Sequence, residues 1–239
     1  MSATLGQWET PHKFKVPNQT RTDRNGANSV VDKRGLFVLH SVMLHTGKVL
    51  VFCGHVESSD YGGSPSSAGA STSDYRGISY LFNPAIHDPS SSTFNPAAEM
   101  TPIYFPSGVD LFCCHYVQLP DGKILVVGGS IEFHNMGAGT GGSWGARNIC
   151  IFDPIAETWN VTKTGSSVNF LTEGRWYPTA VITGRGKVAV FSGRNTKGAA
   201  PYPNIAAKVE LITSPNYSSK VISGADQRLP IYPVMHLSP

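Results

Sequence analysis

The sequence has little charge, few cysteines and no long apolar run. Charged residues make up 15% of its 239 positions, and the net charge of +3 comes without a basic cluster. The chain therefore lacks the basic patch of a nucleic-acid-binding protein, and we expect no nucleic-acid partner. No stretch approaches the roughly 18 apolar residues of a membrane-spanning helix, so we expect no membrane partner either.

Two further absences concern secretion and redox chemistry. The N-terminal residues MSATLGQWETPHKFK lack the apolar segment of a secretory signal peptide. Four cysteines without a CxxC pair are too few for a disulfide-rich scaffold. Two of them, Cys113 and Cys114, are adjacent in VDLFCCHYVQLPDGKILVVGG. Packing, a crosslink or catalytic chemistry could each explain this pair.

Glycine (25) and proline (17) are common, and many of them lie at the turns of a repeated segment. Three segments share one plan of apolar strand, Gly-bearing turn, lysine and second apolar strand: HSVMLHTGKVLVFCG, HYVQLPDGKILVVGG and TAVITGRGKVAVFSG. Glycine at the turn tolerates the positive φ of a tight hairpin. The turn lysines, 75 and 64 residues apart, are Lys48, Lys123 and Lys187.

A second hairpin follows each of these segments. The motifs ISYLFNP (78–84), ICIFDPIAETW (149–159) and KVELITSPNYSSKVI (208–222) predict it. Each unit is therefore four short antiparallel strands, which must stack on neighbouring units to bury both faces. We predict an all-β fold, a kelch-like β-propeller, rather than the alternative of an ordinary β-sandwich.

The repeats predict one propeller domain over 1–239, with blades near 35–100, 110–165 and 174–225 and the start of another at 230–239. Long loops at 55–77 and 131–148 lie between the second and third strands of their blades, where function usually resides. The last residues, YPVMHLSP, align with the first strand of a hairpin. Propellers close with four to eight blades, so we expect an incomplete propeller, the N-terminal part of a longer protein.

Counting ten residues back from each turn lysine gives equivalent positions at the start of each innermost strand. These positions are expected to meet near the propeller axis, together with the loop residues His55, Trp144 and Arg194. Cys113 and Tyr177 can thus be neighbours although they are 64 residues apart. A thiol beside a phenol is either ordinary packing or a redox-active pair. The equivalent residues are Val38, Cys113, Tyr177 and Tyr232.

The motifs DLFC before LPDGK, ICIFDPIAETW, and GRWYPTAV one blade later resemble the galactose oxidase and glyoxal oxidase family of copper radical oxidases. The resemblance extends over nearly the whole chain. It implies a thioether between Cys113 and Tyr177, with Tyr177 as a copper ligand that carries a protein radical. Copper and this protein-derived Cys–Tyr radical are the implied cofactors, and imidazole with oxygen ligands suits Cu(II).

The resemblance also implies an aromatic ring that shields the radical. The family's tryptophan position is occupied by Asn195. Trp144, from the loop of the previous blade, is the candidate substitute. Trp176 is expected to face away from Tyr177, because neighbouring residues on a strand alternate sides.

The chain departs from the family pattern in two ways. The remaining copper ligands, a Tyr–His pair and a later His, would lie beyond residue 239. None of His55, His115, His134 and His236 matches those motifs. Cys114 replaces a usual small residue and is expected to point away from Cys113, into the packing between blades. A vicinal disulfide between Cys113 and Cys114 is the local alternative, and it would block the thioether.

Two functions follow from these patterns. The first is a secreted copper radical oxidase that acts with O₂ on a small alcohol, aldehyde or carbohydrate and releases H₂O₂, with residues 1–239 alone inactive. The second is a non-catalytic kelch-like propeller that binds a carbohydrate or a protein through its loops. A third possibility is a truncated gene product without activity.

Overall fold

The computed structural model describes residues 19–22, 28–31, 38–54, 78–86, 99–106, 109–130, 145–195 and 204–237. Three of its sheets are built on four antiparallel strands in chain order, as the repeats predict, and one of the three has a fifth strand paired to it. We call them blades 1, 2 and 3. Consecutive blades stack face to face, with the innermost strands of blades 2 and 3 in contact and the outermost strands of blades 1 and 2 in contact. This is the arc of an incomplete β-propeller.

Blade 1 consists of β3 (His40–Met43), β4 (Val49–Gly54), β5 (Ile78–Phe82) and β6 (Met100–Tyr104), with a 3-10 helix at Pro84–Ile86. Blade 2 consists of β7 (His115–Gln118), β8 (Ile124–Val127), β9 (Ala146–Asp153) and β10 (Thr158–Val161). Blade 3 consists of β14 (Thr179–Ile182), β15 (Val188–Phe191), β16 (Glu210–Thr213) and β17 (Ser218–Val221).

Additional strands lie outside the blades. The hairpin of β1 (Gln19–Thr22) and β2 (Asn28–Val31) precedes blade 1. Between blades 2 and 3, a short hairpin of β11 (Lys163–Thr164) and β12 (Ser167–Val168) leads into β13 (Phe170–Arg175). The repeat pattern does not predict β13, which pairs with the first half of β9 and carries the chain from the outside of blade 2 to the axis.

The first hairpins of the three blades have the same turn. Gly47, Gly122 and Gly186 have φ of 83°, 82° and 72°. Each donates its N–H to a carbonyl three residues earlier at 2.9 Å. Only glycine adopts this left-handed conformation at little cost, which is why the Gly–Lys pair marks every repeat.

Two hydrophobic clusters hold the blades together. One lies between blades 1 and 2, and it includes Phe52, Cys114 and Trp159. The Trp159 indole crosses this interface and donates to Ser79 Oγ at 2.8 Å. The other lies between blades 2 and 3, around Leu125 and Val190. Such stacking through both faces of the middle sheet favours the propeller over a two-sheet sandwich.

A half-buried ion pair between Lys48 and Glu157 also links blades 1 and 2. Beyond blade 3, the chain returns to the axis, where the Thr179 hydroxyl donates to the carbonyl of Pro233 at 2.8 Å. In the residues that the structure describes, no helix is long and apolar enough to cross a membrane.

Candidate active site

The turn before β7 places Cys113 at the propeller axis. The Asp110 carboxylate accepts the N–H of Phe112 at 2.8 Å, and the Leu111 carbonyl accepts the N–H of Cys114 at 3.2 Å. Cys113, between them, is in the left-handed region with φ of 57°. Its side chain is 3% exposed. Left-handed conformations are uncommon for residues with a side chain and often accompany function.

Tyr177 and Tyr232 adopt the same conformation, with φ of 61° and 47°. A chain of backbone hydrogen bonds joins the three residues. The N–H of Tyr177 donates to the carbonyl of Cys113 at 2.9 Å, and the N–H of Tyr232 donates to that of Tyr177 at 2.9 Å. The equivalence read from the turn lysines is therefore confirmed for these positions. One detail was wrong: Cys113 and Tyr177 lie in turns two residues before β7 and β14, not on the strands.

The side chains of Cys113 and Tyr177 lie close enough for each to affect the pKa of the other. Burial raises the pKa of the Cys113 thiol to about 11, although the nearby Tyr177 side chain opposes this shift. Burial, together with Cys113, raises the pKa of the Tyr177 phenol to about 12. Near neutral pH both groups therefore keep their protons. The site holds a thiol in contact with a phenol, rather than a thiolate.

The ring of Tyr232 packs against the ring of Tyr177. Their ring centroids are 4.6 Å apart, and the Tyr232 hydroxyl donates to the carbonyl of Cys114 at 3.0 Å. Burial, with the nearby cysteines and Tyr177, raises the pKa of Tyr232 far above its usual value.

The orientation expected for Trp176 was wrong. Its ring centroid is 4.0 Å from that of Tyr177, with 40° between the planes. Alternation fails here because the left-handed backbone of Tyr177 turns the chain just after β13 ends. Burial dominates the pKa of Cys113, but the Trp176 indole lowers it in part. The indole Nε1 is buried, and none of the described residues forms a well-aligned hydrogen bond with it.

Cys114 faces away from the pair, as expected. Its side chain has no exposed surface and belongs to the cluster between blades 1 and 2. The Sγ atom lies 3.6 Å from Nε2 of His40. Cys113 and Cys114 are both free thiols, so the disulfide alternative is not formed. Burial raises the pKa of Cys114 well above its usual value.

The inner strands line a cleft of about 630 Å³ along the axis. His40 and His115 enter it from blades 1 and 2, and Tyr232 enters from the segment after blade 3. Nδ1 of His115 accepts the N–H of Ala180 at 3.3 Å. Burial lowers the pKa of His115, in agreement with a neutral ring that accepts a proton. His115 is thus a strand histidine that joins two blades.

Only some of the other residues predicted near the site lie within the described part of the structure. The backbone of Arg194 exchanges hydrogen bonds of 2.9 and 2.7 Å with that of Trp176, so its loop does reach this face. His236 is exposed. His55, Trp144 and His134 lie outside the described residues. Within the described part of the chain, no group of three or more His, Cys, Asp or Glu residues could hold a metal ion.

Sequence reasoning missed a buried ion pair beside the site. Arg175 and Glu210 have no exposed surface, and their Nη2 and Oε1 atoms are 2.8 Å apart. Arg175 stands between Gly174 and Trp176 in GRW, and Glu210 interrupts the apolar run VELI. The available signal for this ion pair was a glutamate inside an apolar strand, since a buried charge needs a partner of opposite charge such as the arginine in GRW.

Comparisons with known proteins support the fold. No family model matches the sequence, and no curated protein matches it. Among solved structures, a fungal alcohol oxidase of the AA5 family, in complex with copper, matches with a TM-score of 0.53 and 16% identity. The match covers 93% of this chain and 34% of the oxidase chain. The chain thus spans about a third of that protein's length, and it shares the β-propeller fold of that enzyme.

Proposed function

We propose that this chain is the N-terminal part of a secreted copper radical oxidase of the galactose oxidase and glyoxal oxidase type. The reaction would oxidise a small alcohol, aldehyde or carbohydrate and reduce O₂ to H₂O₂. One observation carries the proposal: Cys113 and Tyr177 lie in left-handed turns of adjacent blades, and the N–H of Tyr177 donates to the carbonyl of Cys113 at 2.9 Å. The shared fold with a copper-bound alcohol oxidase supports it.

A thioether would complete this pair. Forming the bond between Cys113 Sγ and a ring carbon of Tyr177 next to its hydroxyl removes one hydrogen from each residue. Two electrons and two protons leave, and O₂ takes them up as H₂O₂ in the presence of copper. Cys113 gives up the hydrogen of its protonated thiol, and Tyr177 gives up the hydrogen of the ring carbon that the sulfur joins. The sulfur substituent then makes the ring easier to oxidise.

Tyr177 is the copper ligand that this chain offers. Its phenol oxygen fits the mixed oxygen and imidazole set that Cu(II) prefers. The described residues do not supply the other ligands, and the Tyr232 hydroxyl is held by the Cys114 carbonyl. A bound copper ion would supply a one-electron acceptor. The ring of Tyr177 would be the second acceptor, and the two would match the two electrons that an alcohol loses on becoming an aldehyde.

Neighbouring rings would protect the oxidised Tyr177. Trp176 and Tyr232 contact its ring at centroid distances of 4.0 and 4.6 Å. Cys113 is also buried. We propose that Trp176 contributes to the shielding for which the sequence indicates Trp144, and that Trp144 acts from its loop.

Peptide mapping of the complete protein after exposure to copper(II) and O₂ tests the crosslink. We expect a linked peptide that joins Cys113 and Tyr177 and lacks two hydrogens. Cys113→Ser and Tyr177→Phe should abolish it, whereas Cys114→Ser should leave it intact. If the copper-treated protein yields only unlinked Cys113 and Tyr177 peptides, the radical oxidase proposal fails.

We further propose that residues 1–239 alone neither hold copper tightly nor oxidise substrate. The incomplete ligand set of the described residues supports this. Release of H₂O₂ by the isolated chain with an alcohol would contradict it. The incomplete ligand set is also compatible with the second candidate function, a non-catalytic propeller that binds a carbohydrate or a protein. That function predicts no crosslink between Cys113 and Tyr177.

A further inference from the structure

The buried pair of Arg175 and Glu210 is the largest charged feature that the proposed chemistry does not use. The Arg175 guanidinium donates to Glu210 Oε1 from Nε at 3.2 Å and from Nη2 at 2.8 Å. Two charges without contact to water are costly unless every remaining donor and acceptor also has a partner. Each nitrogen of the Arg175 guanidinium and each carboxylate oxygen of Glu210 has at least one hydrogen-bond partner.

The guanidinium is satisfied by backbone carbonyls. Nη1 donates to the carbonyl of Ser192 at 2.7 Å, and Nη2 donates to that of Lys208 at 2.6 Å. The rigid fork of arginine thus joins the end of β15 to the start of β16. Lysine has no such fork and could not make these bonds together.

The carboxylate is satisfied from two other strands. Glu210 Oε2 accepts the N–H of Thr172 and the hydroxyl of Ser219, each at 2.6 Å. Burial alone would raise the pKa of Glu210, but these bonds and Arg175 bring it below its usual value. The carboxylate is therefore ionised, and it ties β13 to blade 3.

One route leads from Arg175 to Cys113. The carbonyl of Arg175 accepts the N–H of Gly129 at 3.0 Å, and the next residue, Ser130, donates its N–H to the Asp110 carbonyl at 3.2 Å. Asp110 in turn shapes the turn that contains Cys113. Displacing Arg175 would therefore displace the turn that presents the thiol.

A second route leads to Tyr232. The Ser192 carbonyl is bound by Arg175, and the Ser192 hydroxyl contacts the carbonyls of Leu229 and Pro230 at 2.9 and 2.7 Å. Ser192 itself has φ of 54°. Arg175 also lies two residues before Tyr177. This single residue therefore connects to the segments that lead into Cys113, Tyr177 and Tyr232.

The surroundings leave little room for Arg175 to shift. A Cβ added to Gly128 would be 2.4 Å from the Arg175 carbonyl oxygen, and one added to Gly193 would be 2.9 Å from Arg175 Cβ. The backbone of blade 2 and that of blade 3 therefore both pack directly on this residue. The contact is rigid rather than adaptable.

We propose that Arg175 and Glu210 form a positioning pair that sets the relative placement of Cys113, Tyr177 and Tyr232. Neither side chain touches the reacting atoms. The consequence for the crosslink rests on the proposed oxidase function, whereas the placement of Cys113 can be measured without copper.

The experiment compares the parent protein with Glu210→Gln, which keeps the side-chain shape and removes the charge. Iodoacetamide labelling of the native, copper-free protein gives the rate for each cysteine by peptide mass spectrometry. Cys150 serves as an internal reference, because it is fully buried in blade 2. Local opening at the site should raise the labelling of Cys113 about tenfold relative to Cys150, whereas global unfolding raises both together.

Two variants complete the test. Glu157→Gln removes the ion pair with Lys48 between blades 1 and 2 and should leave the ratio of Cys113 to Cys150 labelling at the parental value. If Glu210→Gln does not fold, Ser219→Ala removes one bond from Glu210 and should still raise the ratio at least about twofold. A parental ratio in the folded Glu210 variant, or in Ser219→Ala where it replaces that variant, overturns the proposal.

Crosslink formation gives the second readout. A folded Glu210→Gln protein that labels selectively at Cys113 should also form the Cys113–Tyr177 peptide about tenfold more slowly with copper(II) and O₂. Crosslinking at the parental rate would overturn positioning for that reaction. No crosslink even in the parent would instead overturn the oxidase proposal and leave the labelling result to decide on the positioning pair.

Discussion

Two tryptophans of this propeller have opposite hydrogen-bonding states, and the same substitution at each should have different costs. The Trp159 indole donates to Ser79 Oγ at 2.8 Å across the interface of blades 1 and 2. Nε1 of Trp176 is buried beside Tyr177 and has no hydrogen-bond partner in the described part of the chain. Substitution by phenylalanine removes the N–H at both positions and keeps an aromatic ring.

The expected difference can be worked out from these contacts. Trp159→Phe loses a hydrogen bond of about 1 kcal/mol and leaves a cavity that costs about 1–2 kcal/mol more. Trp176→Phe also loses contact area, but it removes an unsatisfied donor that costs about 1–3 kcal/mol. The free energy of unfolding should therefore fall by about 2–3 kcal/mol at Trp159 and change by less than about 1 kcal/mol at Trp176.

Thermal unfolding followed by circular dichroism measures this difference. For a chain of this length, about 2–3 kcal/mol corresponds to a fall in Tm of about 5–10 °C. Trp159→Phe should show that fall, and Trp176→Phe should stay close to the parent. Equal destabilisation by the two substitutions would refute the reasoning, because it would mean that the Trp176 N–H has a partner worth as much as Ser79.

Two other predictions concern the turn beneath Cys113 and the cleft. Gly129→Ala should destabilise the protein by more than about 3 kcal/mol, because the added Cβ would lie 2.0 Å from the Asp110 carbonyl oxygen at a φ of 114°. Gly186→Ala, at a φ of 72° in open space, should cost only about 1 kcal/mol. Urea titration of both variants and the parent measures the two costs, and equal costs would contradict the packing argument. Burial and His115 lower the pKa of His40 from 6.5 to about 4, so the unfolded chain binds the proton more tightly. Stability present above pH 6.5 should fall by up to about 3 kcal/mol as the pH drops to about 4, and a pH profile of unfolding that His40→Gln leaves unchanged would exclude this origin.

Regular features of the repeat were predictable from the sequence. The Gly–Lys turns and the apolar strands around them set the hairpins of each blade, and counting from Lys123 and Lys187 placed Cys113 beside Tyr177. This works because every blade uses the same turn, so equal spacing along the chain becomes equal position in space.

Local departures from the repeat were not predictable in this way. The orientation of Trp176 depends on the left-handed backbone of Tyr177, and strand alternation says nothing about a residue that has left the strand. Strand β13 and the ion pair of Arg175 with Glu210 arise from contacts between blades. Their partners are far apart in the chain, so a reading of single segments does not connect them.

The left-handed turn at the axis explains how a common scaffold could hold uncommon chemistry. Cys113, Tyr177 and Tyr232 share this conformation, although it is strained for residues with a side chain. The hydrogen bonds that run from one to the next hold all three in place. The position therefore belongs to the propeller, and the side chain at each position decides the chemistry. A thiol lies next to a phenol at the first two positions, whereas the step from Tyr177 to Tyr232 brings two phenol rings together with their centroids 4.6 Å apart.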